Sequence, residues 1–473
     1  MRGGFIGALR LIKPLHMKNK KLFGGAAILG AGAFVAKILG AVYRVPLTNI
    51  LGGEGLGLYQ MVFPVYCLLL DFSAAGVPSA LSKLIAERGE DKKEFSHRIL
   101  KSSIKLFSLI GLIGSVLIAA LGLPVATLQG NSSAVWGYVF LSPSVFLVSV
   151  ISCYRGFFQG DINMKPTAFS QITEQGIKLL AGLLIVSALS YNIPLAVGGA
   201  TFAVTLSELA ALIFLFVVYK IKTKKEMLND KENKFLHYDK SFFKSDCKSI
   251  VKLAVPVALT GTAIPFSQVV DSFIIINVLG TYLPNATSLF GLYSGAATTL
   301  INLPVSLLYG ISAVTVPFVA AEKDVKNGKK SVWSALLLTF FSAIVFAAME
   351  FFFAERAVGF LFRSLSSEEQ KITSDLVKLS AVNIILLSLI QTQNAALIGK
   401  GRAYAPVITM YSAIAVKTLL LVLLSFDKNL NIYAAAISTI ACYFVACLLN
   451  FIILFSTKGR YAVKKSLYRQ CSN

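Results

Sequence analysis

The pattern of hydrophobic and polar residues divides the chain into long apolar runs separated by short polar stretches. A membrane-spanning helix needs about 20 predominantly apolar residues. Twelve runs meet this condition, at residues 22–45, 57–86, 103–127, 134–157, 167–190, 194–219, 250–279, 287–318, 331–354, 374–398, 404–425 and 432–456. The pattern predicts an all-α polytopic membrane protein with about twelve transmembrane helices.

The polar stretches between these runs carry an uneven share of the positive charge. If the runs alternate in direction, 36 of the 45 lysines and arginines fall on the side of the chain termini. Loops rich in Lys and Arg stay on the cytoplasmic side of a membrane. The sequence therefore predicts a multi-pass cell-membrane protein with both termini in the cytoplasm.

The longest polar segment separates six predicted helices from the other six. We therefore expect five regions: a basic cytoplasmic N-terminus at 1–21, an N-lobe at 22–219, an inter-lobe loop at 220–249, a C-lobe at 250–456 and a basic cytoplasmic tail at 457–473.

The two halves also echo each other in sequence. Asn49-Ile-Leu-Gly52 in the first half corresponds to Asn277-Val-Leu-Gly280 in the second, and a Gly-Leu-Tyr triplet follows each, at 57–59 and 291–293. Parallel six-helix repeats are typical of alternating-access carriers, which bind substrate between the halves.

The composition agrees with a membrane protein and argues against a nucleic-acid-binding one. Only 14% of residues are charged and the mean hydropathy is +0.71, whereas a soluble domain carries about 25% charged residues. The net charge of +22 then reflects topology and contact with anionic lipids, and we expect no nucleic-acid partner.

Motifs for catalysis and metal binding are missing from the sequence. The six cysteines and three histidines form no cluster with metal-ligand spacing, so we expect no metal and no cofactor. No GxxxxGK[ST] phosphate-binding loop occurs. The histidines all lie in predicted cytoplasmic stretches, so no nucleophile–His–acid set forms. The sequence predicts that the protein is not an enzyme.

Two cations lie in the first predicted helix. Lys37 and Arg44 are seven residues apart, which is nearly two helical turns, so they share one face. Pro46 is expected to stop or kink this helix. A cation in a spanning helix is costly and usually faces a cavity or a partner, although Arg44 can instead extend to the membrane surface.

Other polar residues within the predicted helices have candidate roles. Asn49 and Lys417 join Lys37 and Arg44 as candidate substrate-binding residues. Candidates for ion coupling or for cavity charge are Asp71, Glu174, Lys178, Glu208 and Asp271. Glu174 and Lys178 have the i,i+4 spacing of an intrahelical ion pair, which would be structural. A polar cluster that either lines the cavity or joins helices comprises Gln391, Gln393 and Asn394.

Two stretches carry a resemblance to a known family. AKILGAVYRVPLTNILGGEGLGLYQMVFPVYCLLLDFSAAGVPSALSKLIAE (36–87) resembles the opening of the stage V sporulation protein B group. YRGFFQGDINMKPTAFSQITEQG (154–176) resembles that group's fourth-to-fifth helix segment. The group belongs to the multidrug/oligosaccharidyl-lipid/polysaccharide (MOP) exporter superfamily, together with the lipid II flippases and the O-antigen flippases.

The resemblance implies two six-helix lobes around a central cavity, as in MATE exporters and the lipid II flippases, and alternating access. It also implies a polyprenyl-diphosphate-linked oligosaccharide or peptidoglycan precursor as substrate, for cell-wall, spore-cortex or surface-polysaccharide synthesis. Lys37 and Arg44 would then hold the diphosphate, and cell-wall synthesis enzymes are candidate partners. Lipid II flippases carry two further helices beyond the twelve counted here, so we expect a different mode of lipid-tail binding.

Two other functions remain open from the sequence. A MATE-type multidrug exporter coupled to H⁺ or Na⁺ would favour an acidic cavity. The four acids within the predicted helices, Asp71, Glu174, Glu208 and Asp271, keep this function possible. A non-transporting membrane scaffold for envelope assembly would tolerate mutation of the buried charges. Kinship of fold does not by itself fix a substrate.

Overall fold

A computed structural model describes residues 20–88, 92–229, 242–321, 325–402 and 404–456. These residues are almost entirely helical and contain no strand. The helices, in chain order, are α1 Lys20–Leu70, α2 Val77–Ala86, α3 Lys92–Leu128, α4 Val135–Gly160, α5 Lys165–Ala188, α6 Ile193–Asn229, α7 Phe243–Gly261, α8 Ala263–Gly280, α9 Ala286–Gly291, α10 Thr298–Ala321, α11 Val325–Leu361, α12 Ser367–Ser380, α13 Val382–Gly399, α14 Ala405–Ser425 and α15 Tyr433–Ser456. The expected basic tail, 457–473, and nearly all of the expected N-terminus, 1–21, lie outside the described residues.

The predicted membrane-spanning architecture is confirmed. Ten stretches of the described chain are long and apolar enough to cross a membrane. One of them, Ile28–Ala86, holds two of the predicted spans. The predicted span 167–190 is α5, whose polar face makes it less apolar than these ten. The described residues therefore form an all-α fold in which twelve spans can be counted.

Several helices extend further than the hydrophobic pattern predicts. The expected loop 220–249 is helical at both of its ends, because α6 continues to Asn229 and α7 begins at Phe243. Residues 230–241 of that loop lie outside the described part of the chain. Helices can extend beyond the apolar core, because their backbone hydrogen bonds are equally satisfied in water.

The first helix does not stop at Pro46, which was one of the two outcomes expected there. It continues to Gly52, the residue with non-helical geometry inside α1, at φ 65° and ψ −172°. Thr48 supports the turn around the proline, since its Oγ1 donates a hydrogen bond to the Arg44 carbonyl at 2.9 Å. A positive φ is easily reached only by glycine, so the break falls at Gly52.

The described helices form two lobes. Helices α1–α6 pack mainly on one another and form the N-lobe, and α8–α15 pack likewise and form the C-lobe. Helix α7 follows the N-lobe in sequence but packs chiefly against α2, α3 and the π-helical turn Asp71–Ala75. We refer to the end of the bundle that faces away from the chain termini as the outer end.

The lobes approach most closely at the outer end, where the second half of α1 crosses α9. A methyl group on Gly57 would lie 2.0 Å from the Thr287 carbonyl oxygen. One on Gly291 would lie 2.1 Å from the Gly53 carbonyl oxygen. The two Gly-Leu-Tyr triplets of the sequence echo therefore begin at the crossing, because only glycine lets the backbones come this close.

The two echoed asparagines also join the lobes. Asn49 of α1 donates to the Leu361 carbonyl at the end of α11, at 2.7 Å. Asn277 of α8 donates to the Leu128 carbonyl at the end of α3, at 2.8 Å. Each asparagine thus reaches the corresponding helix end of the opposite lobe.

At the inner end, α7 is fixed to the N-lobe. A methyl group on Gly76 would lie 2.1 Å from the Ala254 carbonyl oxygen. Asp246 of α7 accepts a hydrogen bond from Ser102 at 3.0 Å and lies 3.4 Å from Arg98 Nε. On the other side of the bundle, α1 and α10 touch little, and a cavity separates their inner halves.

Candidate functional site

The cavity between the inner halves of the lobes, which we name the central cavity, has a volume of about 600 Å³. Its walls are formed by α1, α4, α5 and α10. The polar and charged residues that line it are Lys37, Tyr43, Arg44, Tyr59, Arg155, Gln171, Glu174, Gln175, Lys178, Thr299, Asn302 and Ser306.

Lys37 and Arg44 both line the central cavity, on the shared face of α1 that their spacing predicts. Arg44 Nη1 donates to Thr299 Oγ1 of the C-lobe at 3.3 Å. The Lys37 ammonium lies 4.4 Å from the centroid of the Tyr309 ring, a cation–π distance. Both cations therefore reach from the N-lobe to α10 and have no acidic partner among the described residues.

The predicted ion pair between Glu174 and Lys178 is not formed. Glu174 Oε2 instead lies 2.9 Å from Arg155 Nη2 of α4, and Ser170 accepts a hydrogen bond from Arg155 Nε at 3.0 Å. Lys178 lies with its ammonium 5.7 Å from the centroid of the Tyr43 ring. The planar guanidinium of an arginine matches the two oxygens of a carboxylate better than the ammonium of a lysine does.

Arg155 is a cavity residue that sequence reasoning missed. Arg155 lies near the cytoplasmic end of the predicted span 134–157, whereas α4 continues to Gly160 and the Arg155 side chain forms part of the cavity wall. A signal was available, because Arg155 is the second residue of the 154–176 stretch that carries the family resemblance.

A polar stripe on α10 was also missed. Thr299, Asn302 and Ser306 line the cavity from the C-lobe. Their spacings of three and four residues place them on one face of a helix. This periodicity within the otherwise apolar run 287–318 was the available signal.

The central cavity is strongly biased toward positive charge. Four cations and one carboxylate line it, and Arg155 is already paired with that carboxylate. Charges away from bulk water are screened weakly. The arrangement therefore favours an anionic ligand and disfavours a cationic one.

The acids Asp71 and Glu208 lie in the N-lobe but outside the central cavity wall. Asp71 lines a smaller neighbouring pocket of about 250 Å³, which we name the inner pocket and which shares Arg155 and Gln171 with the central cavity. Glu208 is buried, with 2% of its surface exposed, and accepts a hydrogen bond from Tyr66. A role in ion coupling remains a prediction for both.

Lys417 and Asp271 pair with each other inside the C-lobe. The Lys417 ammonium lies 2.5 Å from Asp271 Oδ2 and 3.1 Å from Ser267 Oγ, and both charged side chains are less than a tenth exposed. The structure does not place Lys417 at the central cavity, where a substrate-binding role was expected. Its charge is already matched by Asp271.

The remaining candidates join helices and do not line the central cavity. Asn49 accepts a hydrogen bond from Ser364 Oγ at 3.0 Å, in addition to its bond to α11. Asn394 accepts a hydrogen bond from Asn450 of α15 at 2.9 Å, and Gln393 donates to Cys447 Sγ at 3.4 Å. Gln391 Oε1 is buried without a partner among the described residues. The cluster thus corresponds to the alternative of polar contacts between helices.

Within the described residues, no group of three or more His, Cys, Asp or Glu side chains is arranged to hold a metal ion. The ionisable residues of the central cavity are cations, one carboxylate and tyrosines. These groups are suited to binding and orienting an anion, and the described lining residues include no nucleophile–base pair.

Comparison with known proteins places this architecture among transporters. Residues 22–321 match the family model described as polysaccharide biosynthesis protein. The chain is 26% identical to stage V sporulation protein B of Bacillus subtilis (strain 168) over 449 residues, which are 92% of this chain and 83% of the relative. It is 29% identical to the lipid II flippase MurJ of the same organism over 273 residues, which are 54% of this chain and 49% of the relative.

Solved structures share the fold. An inward-facing multidrug resistance MATE transporter of the MOP superfamily matches with a TM-score of 0.73 at 16% identity, over 93% of this chain and 96% of that one. Lipid II flippase MurJ in an inward closed conformation matches with a TM-score of 0.68 at 18% identity, over 91% and 88%. The protein is a membrane transporter and not an enzyme, and its chain belongs to the polysaccharide biosynthesis protein family.

Proposed function

We propose that the protein is an alternating-access flippase for a polyprenyl-diphosphate-linked oligosaccharide or peptidoglycan precursor in the cell membrane. The observation that carries this proposal is the excess of four cations over one carboxylate in the central cavity. The family's description as a polysaccharide biosynthesis protein and the relative named lipid II flippase support a lipid-linked saccharide as the substrate class.

The charge of the cavity matches what a diphosphate needs within a membrane. A lysine in a spanning helix costs roughly 2.5–3.5 kcal/mol on insertion scales, and Lys37 has no acidic partner among the described residues to offset this. A bound diphosphate offsets this cost and in turn gains counter-charges that are screened less than in bulk water. Lys37, Arg44, Arg155 and Lys178 would hold it, and Glu174 would keep Arg155 in place.

Other aspects of the proposal concern the surroundings of the site. The basic inner surface would contact anionic lipids, and both termini would be cytoplasmic. Asp71, Glu208 and the Asp271–Lys417 pair are candidates for coupling transport to an ion. Cell-wall synthesis enzymes would supply the substrate on one side and consume it on the other.

A multidrug exporter is the second candidate, favoured by one observation. The structural match to a MATE transporter is as complete as the match to a lipid II flippase. A cationic drug would meet four like charges in the central cavity, so the charge pattern disfavours this reading. A non-transporting scaffold is excluded if the cavity charges prove necessary for movement of a lipid.

The test is the flipping of a fluorescent polyprenyl-diphosphate sugar by the full chain in proteoliposomes, with and without an imposed potential. We expect wild type to flip the lipid, and the Lys37→Ala and Arg44→Ala variants to lose at least about tenfold in rate, since a charged hydrogen bond contributes roughly 1.5–3 kcal/mol. The matched control is Lys101→Ala, which removes an exposed cation from α3, outside the cavity.

If wild type fails to flip several such lipids but exports a cationic dye, the exporter function replaces the flippase. If the folded variants flip as fast as wild type, the cationic cavity does not bind the diphosphate. Thermal unfolding of each variant in detergent checks that the fold is retained.

A further inference from the structure

The inner pocket is a second polar space that the diphosphate site does not use. It has a volume of about 250 Å³ and lies between the π-helical turn Asp71–Ala75, α4 and α5. This is room for roughly eight waters, which corresponds to one sugar ring and not to an oligosaccharide. Arg155 and Gln171 line both this pocket and the central cavity, so the two spaces are adjacent.

The wall of the inner pocket carries polar groups that lack protein partners. Thr167 is 1% exposed, and its Oγ1 has no hydrogen-bond partner among the described residues. Gln171 Oε1 is likewise buried and unpartnered. Buried polar atoms are normally hydrogen-bonded, so each exception calls for an explanation.

The chemistry of these groups suits a hydroxyl-rich, uncharged ligand. Asp71 supplies a carboxylate that accepts hydrogen bonds, Gln159 an amide that both donates and accepts, and Ser152 a hydroxyl. A sugar ring presents hydroxyls that donate and accept in the same way. The nearest cation is Arg155, and its guanidinium is engaged by Glu174 on the side of the central cavity.

The end of α7 approaches Asp71 at the edge of the inner pocket. A methyl group on Gly261, the last residue of α7, would lie 3.0 Å from Asp71 Oδ1. Helix α7 itself packs on the N-lobe, including the π-helical turn. A ligand in the inner pocket would therefore lie beside the end of α7, the helix that leads from the N-lobe to the C-lobe.

We propose that the inner pocket binds the single sugar ring that is attached directly to the diphosphate of the substrate. This inference rests on the proposed flippase function, and it adds the subsite that distinguishes a glycosylated lipid from a bare lipid diphosphate. Gln159 and Thr167 are its specific residues, because Arg155 and Gln171 also face the central cavity.

The test compares two probes on the full chain in nanodiscs: polyprenyl diphosphate, and the same lipid carrying one N-acetylglucosamine. We expect wild type to bind the glycosylated lipid more tightly. Gln159→Leu and Thr167→Val should each weaken binding of the glycosylated lipid roughly three- to tenfold, the effect of one lost hydrogen bond, and leave the bare lipid unchanged. Thr167→Val keeps the side-chain shape and removes a hydroxyl that has no protein partner.

Two variants serve as controls. Thr127→Val makes the same substitution near the outer end of α3 and should alter binding of neither lipid. Arg155→Ala should weaken both lipids alike, because it acts on the diphosphate.

The outcomes separate this inference from the proposed function. If both lipids bind equally and neither variant changes this, the sugar subsite is wrong while the flippase function stands. If the variants weaken both lipids alike, the pocket serves the diphosphate and the inference is again wrong. If wild type binds neither lipid, the proposed function fails and the subsite fails with it.

Discussion

At the scale of single residues, the surroundings of a charged side chain decide its role. Arg155 meets Glu174, and Lys417 meets Asp271. Lys37, in contrast, meets an aromatic ring and the open cavity. Lys37 and Lys417 each lie in an apolar run of the sequence, yet they have different roles. Lys417 has a carboxylate partner, whereas Lys37 has none among the described residues.

The Asp271–Lys417 pair gives a stability prediction. Lys417→Met leaves the carboxylate buried and unpaired, so we expect a loss of roughly 3–5 kcal/mol in the free energy of unfolding. The double variant Asp271→Leu with Lys417→Met should recover most of this loss, because replacing a buried pair with apolar residues is often neutral. Unfolding in detergent measures both.

The same double variant tests whether Lys417 binds substrate. Because Lys417 is paired inside the C-lobe, we expect binding of the lipid diphosphate to be unchanged when the pair is replaced. Loss of binding in a stable double variant would instead support the substrate-binding role that the sequence predicted for Lys417.

At the scale of helices, the break points determine where the lobes can meet. The break in α1 falls at Gly52, which adopts a positive φ, and not at Pro46. The helix that follows crosses α9 at Gly57 and Gly291 with direct backbone contact. Proline is tolerated in a spanning helix when neighbouring groups donate to the carbonyl that the proline leaves without a donor. Pro46 therefore predicted the position of the break less well than Gly52 did.

The glycine crossing gives a prediction about access. Gly57→Val places a side chain where even a methyl group would lie 2.0 Å from a carbonyl oxygen, so the outer ends should be forced apart. We expect Ser288→Cys, beside this crossing, to react with a maleimide severalfold faster when Gly57→Val is also present than when Gly57 is retained. The parent chain without the Ser288 substitution gives the background from native cysteines.

Gly30→Ala is the matched control for this experiment. A methyl group on Gly30, in the same helix, would have no neighbour within 4 Å, so we expect an unchanged labelling rate. Equal rates in Gly57→Val and wild type would show that the crossing does not control closure of the outer end.

At the scale of the whole molecule, the two ends of the bundle differ. The outer end is joined by the glycine crossing and by the two asparagine bonds. The inner halves of α1 and α10 are separated by the central cavity. The bundle is closed at its outer end and contains a cavity at its inner end, an arrangement that suits an alternating-access carrier.

This asymmetry predicts the side from which the cavity can be labelled. With the inner end in the cytoplasm, a membrane-impermeant maleimide should label Ser306→Cys in inverted vesicles faster than in intact cells. Asn429→Cys, in the exposed connection between α14 and α15, should show the opposite preference. Reversed preferences for both would overturn the predicted orientation.

Much of the fold follows from local pattern alone. The length of each apolar run predicts a spanning helix, the Lys and Arg bias predicts an orientation, and seven-residue spacing predicts that Lys37 and Arg44 share a face. These are properties of one helix or of one loop, so they need no knowledge of neighbours. The twelve spans and the shared face agree with the structure.

The composition of the site was decided by the tertiary structure. Glu174 pairs with Arg155 of another helix and not with Lys178, which is four residues away in sequence. Asp271 and Lys417 are brought together across 146 positions. Such pairings depend on how helices rotate and pack, which periodicity does not specify. The sequence by itself determined a membrane protein with cations in its first helix, and only packing decided which charges stay unpaired in the cavity.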